Sequence, residues 1–218
     1  MAHLVFLHTA EVNVGTFERL TLELAPGTAT THIADAELLD RARTDGLDDP
    51  QLAAALDARL RHFVEPGDLV VCTCSTIGGM VESIGSAQGL ATMRVDRPMA
   101  AEAVGGGHRI AVVAAIESTV ESTCALLREE AARVGRDIEL IVSVCGEAWA
   151  RFEAGDHEGY AEAIANHVRT IEPGVDVVVL AQGSMAGAAA LLSDHDIPVL
   201  SSPRLGVAAA LERFSRIA

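Results

Sequence analysis

Cys74 stands where an apolar run gives way to a turn, in Asp68-Leu69-Val70-Val71-Cys72-Thr73-Cys74-Ser75-Thr76-Ile77-Gly78-Gly79. A thiol between the end of a strand and the start of a helix is placed to become a thiolate, because a helix N-terminus favours negative charge. The same frame returns 108 residues later as Asp176-Val177-Val178-Val179-Leu180-Ala181-Gln182-Gly183-Ser184-Met185-Ala186-Gly187. There Gln182 falls opposite Cys74, Gly183 opposite Ser75 and Ser184 opposite Thr76. An amide donates and accepts hydrogen bonds but is no base near neutral pH, so the two copies offer different chemistry. The plainer reading of Cys74 is packing, since free cysteine is among the most buried residue types.

Other residues admit a chemical and a structural reading side by side. His8 and Thr9 end the first strand, and His8 could act as an acid or base near pH 7 or simply pack. Ser118 and Thr119 open a helix, where they could cap it or hold a carboxylate. Cys72 and Cys74 are expected on one side of a strand, but zinc needs three or four ligands and no paired Cys or His motif completes a set, so no metal is expected. A disulfide across one intervening residue would be strained, and Cys72, Cys124 and Cys145 fit no motif, so reduced thiols are expected. Gly105-Gly106-Gly107-His108 precedes a strand instead of joining strand to helix, which makes a poor phosphate loop. Ser184 has Gln182 where a nucleophile elbow needs glycine.

The elements that must position these residues follow a βα rhythm. Strands are predicted near 3–8, 28–34, 68–74, 109–116, 137–145, 176–182 and 197–201. Helices are predicted over 36–43, 51–63, 119–134, 148–171 with an interruption near Gly155, and 205–217. Strands alternating with helix-length amphipathic stretches argue an α/β fold with parallel sheets. The repeated Asp68 and Asp176 frames, with the similar strand openings at His3 to Thr9 and Arg109 to Ser118, argue a duplication. The expectation is therefore two pseudo-symmetric α/β lobes, residues 1–95 plus 203–218 and residues 96–202, with a boundary near 93–99. Ligands of such sheets bind outside the carboxyl ends of the strands, which would put Cys74 and Gln182 across an active-site cleft between the lobes.

With 218 residues, half of them hydrophobic, the chain can bury a substantial core. A net charge of −15 without any Lys/Arg cluster opposes nucleic acid and anionic membrane surfaces, and reads as a solubilising exterior. No apolar run approaches the roughly 20 residues of a membrane span. The N-terminus reads as a first strand and not a signal peptide, so a cytoplasmic location is expected.

Four segments together resemble the aspartate/glutamate/hydantoin racemase superfamily. Thr73-Cys74-Ser75-Thr76 stands in the place of its first-lobe Cys-Asn-Thr type motif, and Asp96-Arg97-Pro98-Met99 is similar to its inter-lobe segment. Ala115-Ile116-Glu117-Ser118-Thr119-Val120-Glu121-Ser122 is similar to its Gly-Thr-x-x-Thr-Val-x-Ser turn, and Ile197-Pro198-Val199-Leu200-Ser201-Ser202-Pro203 to its final strand. The resemblance implies an enzyme without cofactor in which two cysteines flank the α-carbon of a carboxylate substrate, one removing a proton and the other delivering one. It implies Cys74 as a catalytic thiol, with His8, Thr9, Ser75, Thr76, Ser118, Thr119, Gln182, Gly183 and Ser184 around a small carboxylate or amino-acid-like substrate, and a homodimer. Two departures stand out: Ala181-Gln182-Gly183 replaces the Gly-Cys-Thr type motif of the second lobe, and Ile116 replaces a threonine. Besides a racemase, the alternatives are a single-cysteine decarboxylase or isomerase of the superfamily and a non-catalytic carboxylate-binding descendant.

Overall fold

Short runs of Leu, Val, Ile and Phe, each followed by a polar turn and a helix, build two four-stranded parallel sheets. The structure is a computed structural model that describes residues 2–171 and 173–217. The first unit contains β1 (Leu4–His8), α1 (Val12–Leu24), β2 (Thr30–Ala34), α2 (Glu37–Thr44), α3 (Pro50–Phe63), β3 (Leu69–Cys72), α4 (Gly78–Gln88) and β4 (Ala91–Arg94). Then come α5 (Arg97–Gly106), β5 (Arg109–Ala114), a 3-10 turn (Glu117–Thr119), α6 (Val120–Arg133), β6 (Glu139–Val144), α7 (Gly146–Glu153) and α8 (His157–Val168). The second unit continues through β7 (Val177–Leu180), a 3-10 turn (Gly183–Met185), α9 (Ala186–Ala190) and β8 (Val199–Ser201), and α10 (Ser202–Phe214) ends the chain's regular structure. One unit runs up to Val95 and resumes at Pro203, and the other is Asp96–Ser202. The expected lobe limits at residues 1 and 218 lie outside the described residues.

The sheets run β2-β1-β3-β4 and β6-β5-β7-β8, every pair parallel. In the first unit the side chains alternate across the sheet as the two-residue period requires. Val5, Leu7, Val70 and Cys72 face a core with Leu38, Leu52, Leu56 and Leu60 of α2 and α3. Leu4, Phe6, Leu69 and Val71 face Phe17 of α1 and Val207 and Ala210 of α10. α3 shows how local sequence sets an element: Asp49 accepts from the Gln51 and Leu52 amides (both 3.1 Å), Pro50 opens the helix, and Leu52, Leu56 and Leu60 share its buried face.

The repeated aspartates lie at the amino-terminal edge and are structural. Asp68 accepts from the amides of His3 (2.7 Å) and Glu65 (2.9 Å), and Asp176 from those of His108 (2.7 Å) and Arg109 (2.8 Å). Each ties the start of one strand to its neighbour. The amides of Arg109 and His108 hold the Asp176 carboxyl below the usual carboxylate range.

The units divide between Val95 and Asp96, within 93–99, and two elements absent from the predicted set flank that point. Ala91–Arg94 forms the edge strand β4, and Pro98 sits in the first turn of α5. A four-residue strand with buried Thr92 and Arg94 lacks the apolar run that marks the others, and proline at a helix start mimics a break. The interruption expected near Gly155 is a true break: Gly155 takes φ +77°, and the Asp156 carboxylate caps α8 through the Gly159 amide. Among the described residues no helix is long and apolar enough to cross a membrane.

α10 approaches the end of β4 through Gly206, where a Cβ would lie 2.3 Å from the Val95 carbonyl oxygen. Because that neighbour is backbone, Gly206→Ala is expected to destabilise the fold by about 1–3 kcal/mol. A urea midpoint equal to that of the unchanged protein would contradict this packing.

Candidate active site

Parallel strands deliver the turns after β1 and β3 to one edge of the first sheet. Cys74 lies there, two residues past β3 and 9% exposed, at the border of the apolar cluster that includes Cys72, Ile77 and Val81. Its turn is pinned on three sides. The Thr73 amide (2.9 Å) and hydroxyl (3.2 Å) both donate to the Leu7 carbonyl, the Cys72 thiol donates to the Cys74 carbonyl (3.5 Å), and Arg94 Nη2 donates to the Ser75 carbonyl (3.1 Å). Arg94 reaches this position because Gly78 has no side chain: a Cβ there would meet Arg94 Cγ at 2.9 Å. Thr76 is buried, and its hydroxyl has no hydrogen-bond partner among the described residues. It precedes α4, whose first-turn amides lack intrahelical acceptors and whose N-cap, Ile77, supplies no side-chain bond. A hydroxyl and a helix N-terminus beside a thiol suit a carboxylate.

His8 is fully buried, with both ring nitrogens engaged. Nδ1 lies 2.9 Å from Thr73 Oγ1, and Nε2 lies 2.9 Å from His32 Nδ1. With the Thr73 hydroxyl proton on the Leu7 carbonyl, His8 Nδ1 is the donor to Thr73 Oγ1. His8 Nε2 is then an acceptor, and His32 Nδ1–H donates to it. Burial, with the neighbouring His32, pushes the His8 imidazole down to about 4, and burial lowers His32 as well against the opposing pull of Glu18. Both ring nitrogens of His8 are thus engaged within the protein, beneath the turn that carries Cys74. Thr9 is buried just beyond β1 at the same edge.

The corresponding edge of the second unit carries Ala115, Ser118, Thr119, Gln182, Gly183 and Ser184. The Ala115 amide donates to Gln182 Oε1 at 2.6 Å, which fixes the orientation of the carboxamide, because an N–H must meet the oxygen. Gln182 Nε2 is buried and makes no hydrogen bond among the described residues, and neither does Ser118 Oγ. Thr119 does not cap α6 through its side chain; its hydroxyl turns back to the Ile116 carbonyl at 2.9 Å. Ser184 Oγ lies 3.2 Å from the hydroxyl of buried Tyr160, whose ionisation is pushed up to about 12 chiefly by burial, so it stays a neutral phenol.

This topology is shared with solved structures. A glutamate racemase from Francisella tularensis in complex with D-glutamate aligns with a TM-score of 0.71 at 12% identity, covering 98% of this chain and 81% of that one. An aspartate racemase from Picrophilus torridus aligns at 0.71 with 15% identity, covering 99% and 95%. An allantoin racemase from Pseudomonas fluorescens aligns at 0.62 with 18% identity, covering 98% and 91%. The fold is the racemase fold. No family profile matches the chain, and no curated protein does.

Within the racemase fold, the first edge gathers Cys74, Thr9, Ser75 and Thr76, and the second gathers Ser118, Thr119, Gln182, Gly183 and Ser184. Sequence reasoning missed four contributors. Thr73, His32 and Arg94 hold the Cys74 turn and are visible only once the register of β2, β1, β3 and β4 is known, and Tyr160 meets Ser184 from a helix 24 residues away in sequence. Among the described residues no group of three or more His, Cys, Asp or Glu side chains could hold a metal ion.

The depressed His8 pKa makes stability depend on pH with a definite sign. Between about 4 and the ordinary value of 6.5 the unfolded chain takes up a proton at His8 that the folded chain does not, so stability falls as pH falls through this window. Urea midpoints between pH 7 and pH 5 should decline, and should decline less in His8→Gln. Equal slopes in the two proteins would refute a neutral, buried His8.

Proposed function

We propose that this chain is a cofactor-independent enzyme of the racemase type, using the Cys74 thiol to move a proton at the α-carbon of a small amino acid or carboxylate. The observation that carries the reading is Cys74 itself, held in a pinned turn at the carboxyl edge of a racemase fold, two residues before a buried hydroxyl without a partner. Thr9, Ser75 and Thr76 on one unit, and Ser118, Thr119, Gln182, Gly183 and Ser184 on the other, are the proposed substrate contacts. In the forward step the thiolate takes the α-proton, and the electron pair of the C–H bond delocalises into the substrate carboxyl as an enediolate. Hydrogen-bond donors aimed at those oxygens stabilise the developing charge. The thiol then returns the proton to carbon.

The orientation of Gln182 favours a one-thiol variant of this chemistry. Its oxygen is taken by the Ala115 amide, so the group it offers is N–H, a donor to an oxygen and not a base for a carbon acid. One thiol serves one face of the carbon. A decarboxylase or isomerase, in which the thiol delivers a proton to an enediolate formed another way, is the second reading that this observation supports.

Incubation of candidate amino acids and dicarboxylates in deuterated water separates the possibilities. The expected result is deuterium at the α-carbon of one enantiomer, or release of carbon dioxide with deuterium in the product. Cys74→Ala should lower the rate by about 10²–10⁴. Exchange in both enantiomers would reveal a second base. Ligand binding without exchange or decarboxylation, unchanged in Cys74→Ala, would make the protein a carboxylate-binding one.

A further inference from the structure

The duplication supplies an internal control for the polar groups under the Cys74 turn. Leu4 pairs with Leu69 and Phe6 with His32 in the first sheet, and Ile110 pairs with Val177 and Val112 with Val142 in the second. Carrying this register along the strands puts His8 at the place of Ala114, Thr73 at that of Ala181 and His32 at that of Val142. Three positions that are apolar in one unit are hydrogen-bonding in the other. Since the second unit builds the same sheet without them, the fold does not require a polar chain there. Burying polar groups is unfavourable unless they are satisfied, and at these three positions the first unit accepts that constraint where the second does not.

We propose that His32, His8 and Thr73 form a positioning relay for Cys74, in which a single arrangement of protons locks the residue before the thiol and so fixes the thiol's direction. Leu7 carbonyl accepts from Thr73 Oγ1–H, Thr73 Oγ1 accepts from His8 Nδ1–H, and His8 Nε2 accepts from His32 Nδ1–H. Each link determines the next, so the chain has no second arrangement while the Thr73 proton stays on Leu7. The His8 and His32 rings lie parallel, 1° apart with centroids at 5.2 Å. Phe6 stacks on His32 at 5.0 Å and Phe17 leans on His8 at 5.4 Å, leaving the imidazoles little room to turn. Thr73 and Cys74 are adjacent, and Cys74 packs in the same cluster as Cys72, so holding Thr73 holds the turn that carries the thiol. His8 and His32 touch no reacting atom in this scheme; they act through Thr73.

The proposal rests on the reading of Cys74 as the reacting group, but its test needs no turnover, so the two fail separately. Native protein is treated with iodoacetamide at pH 7.5, and alkylation is followed at each cysteine by peptide mass. Thr73→Val leaves the His8 donor buried and unpaired, and Cys74 alkylation is expected to speed up by about fivefold or more as the turn opens. Thr73→Ser, which restores the hydroxyl, should stay within about twofold of the unchanged protein. Cys72, Cys124 and Cys145, all buried, are the controls. Acceleration at Cys74 alone supports a positioning role, whereas acceleration at all four means only lost fold stability and overturns it. Should Thr73→Val not fold, His8→Leu breaks the same link from the other side with the same expectation. In the unchanged protein, imidazole ¹⁵N shifts should show His8 as the neutral Nδ1–H tautomer. An Nε2–H tautomer at His8, Thr73→Ser behaving like Thr73→Val, or no change at Cys74 in any variant would overturn the relay.

Discussion

Parallel pairing is the constraint on which the rest depends. Parallel strands cannot be joined by hairpins, so each strand must leave the sheet at its carboxyl end, cross by a helix and re-enter at the opposite edge. All post-strand turns of a unit therefore collect along one rim. In the first unit that rim receives Thr9 after β1 and Thr73 to Thr76 after β3, and in the second Ala115 to Thr119 after β5 and Gln182 to Ser184 after β7. The opposite edge receives Asp68 and Asp176, which stitch the strand starts together. The candidate site residues and the scaffolding are separated by the direction of the chain.

A duplicated fold lets the two kinds of residue be told apart without reference to any relative. What both copies keep is needed to build the unit: the strand order, the aspartate clamp and the apolar alternation. What only one copy keeps must answer to something else. Cys74, its Thr73–His8–His32 support and the Arg94 contact with Ser75 belong to one copy, and the Gln182 carboxamide locked by Ala115 belongs to the other. The asymmetry lies at the strand ends and the residues directly beneath them.

The parts of this arrangement that were legible in the sequence are those written in contiguous apolar runs. Val177 to Leu180 announces a buried strand, and the residue that ends such a run must sit at the rim, so Cys74 and Gln182 could be placed from spacing alone. β4 escaped because Thr92 and Arg94 alternate into buried sites that the protein itself supplies with partners, the Arg94 guanidinium finding the Ser75 carbonyl. His8 was visible as a rim residue, but its role was not, since that depends on a contact to Thr73 65 residues away and another to His32 24 residues away. Register between strands, not composition within them, carries that information. The cap that Thr119 could supply is decided in a related way: a hydroxyl before a helix can cap it or turn back, and only the local backbone, helical here, decides.

The Gln182 carboxamide shows how far a single hydrogen bond can narrow chemistry. A free glutamine could present either end to a ligand, and its two ends ask for opposite partners. The Ala115 amide removes that freedom at 2.6 Å, so any partner on this side must bring a lone pair. A carboxylate or an enediolate oxygen satisfies this; an ammonium group does not. Deep burial of Nε2 raises the penalty for leaving it without such a partner, which makes the site more selective for an oxygen than an exposed amide would be. At this position the amide therefore presents a fixed N–H donor where a thiol would present an exchangeable proton.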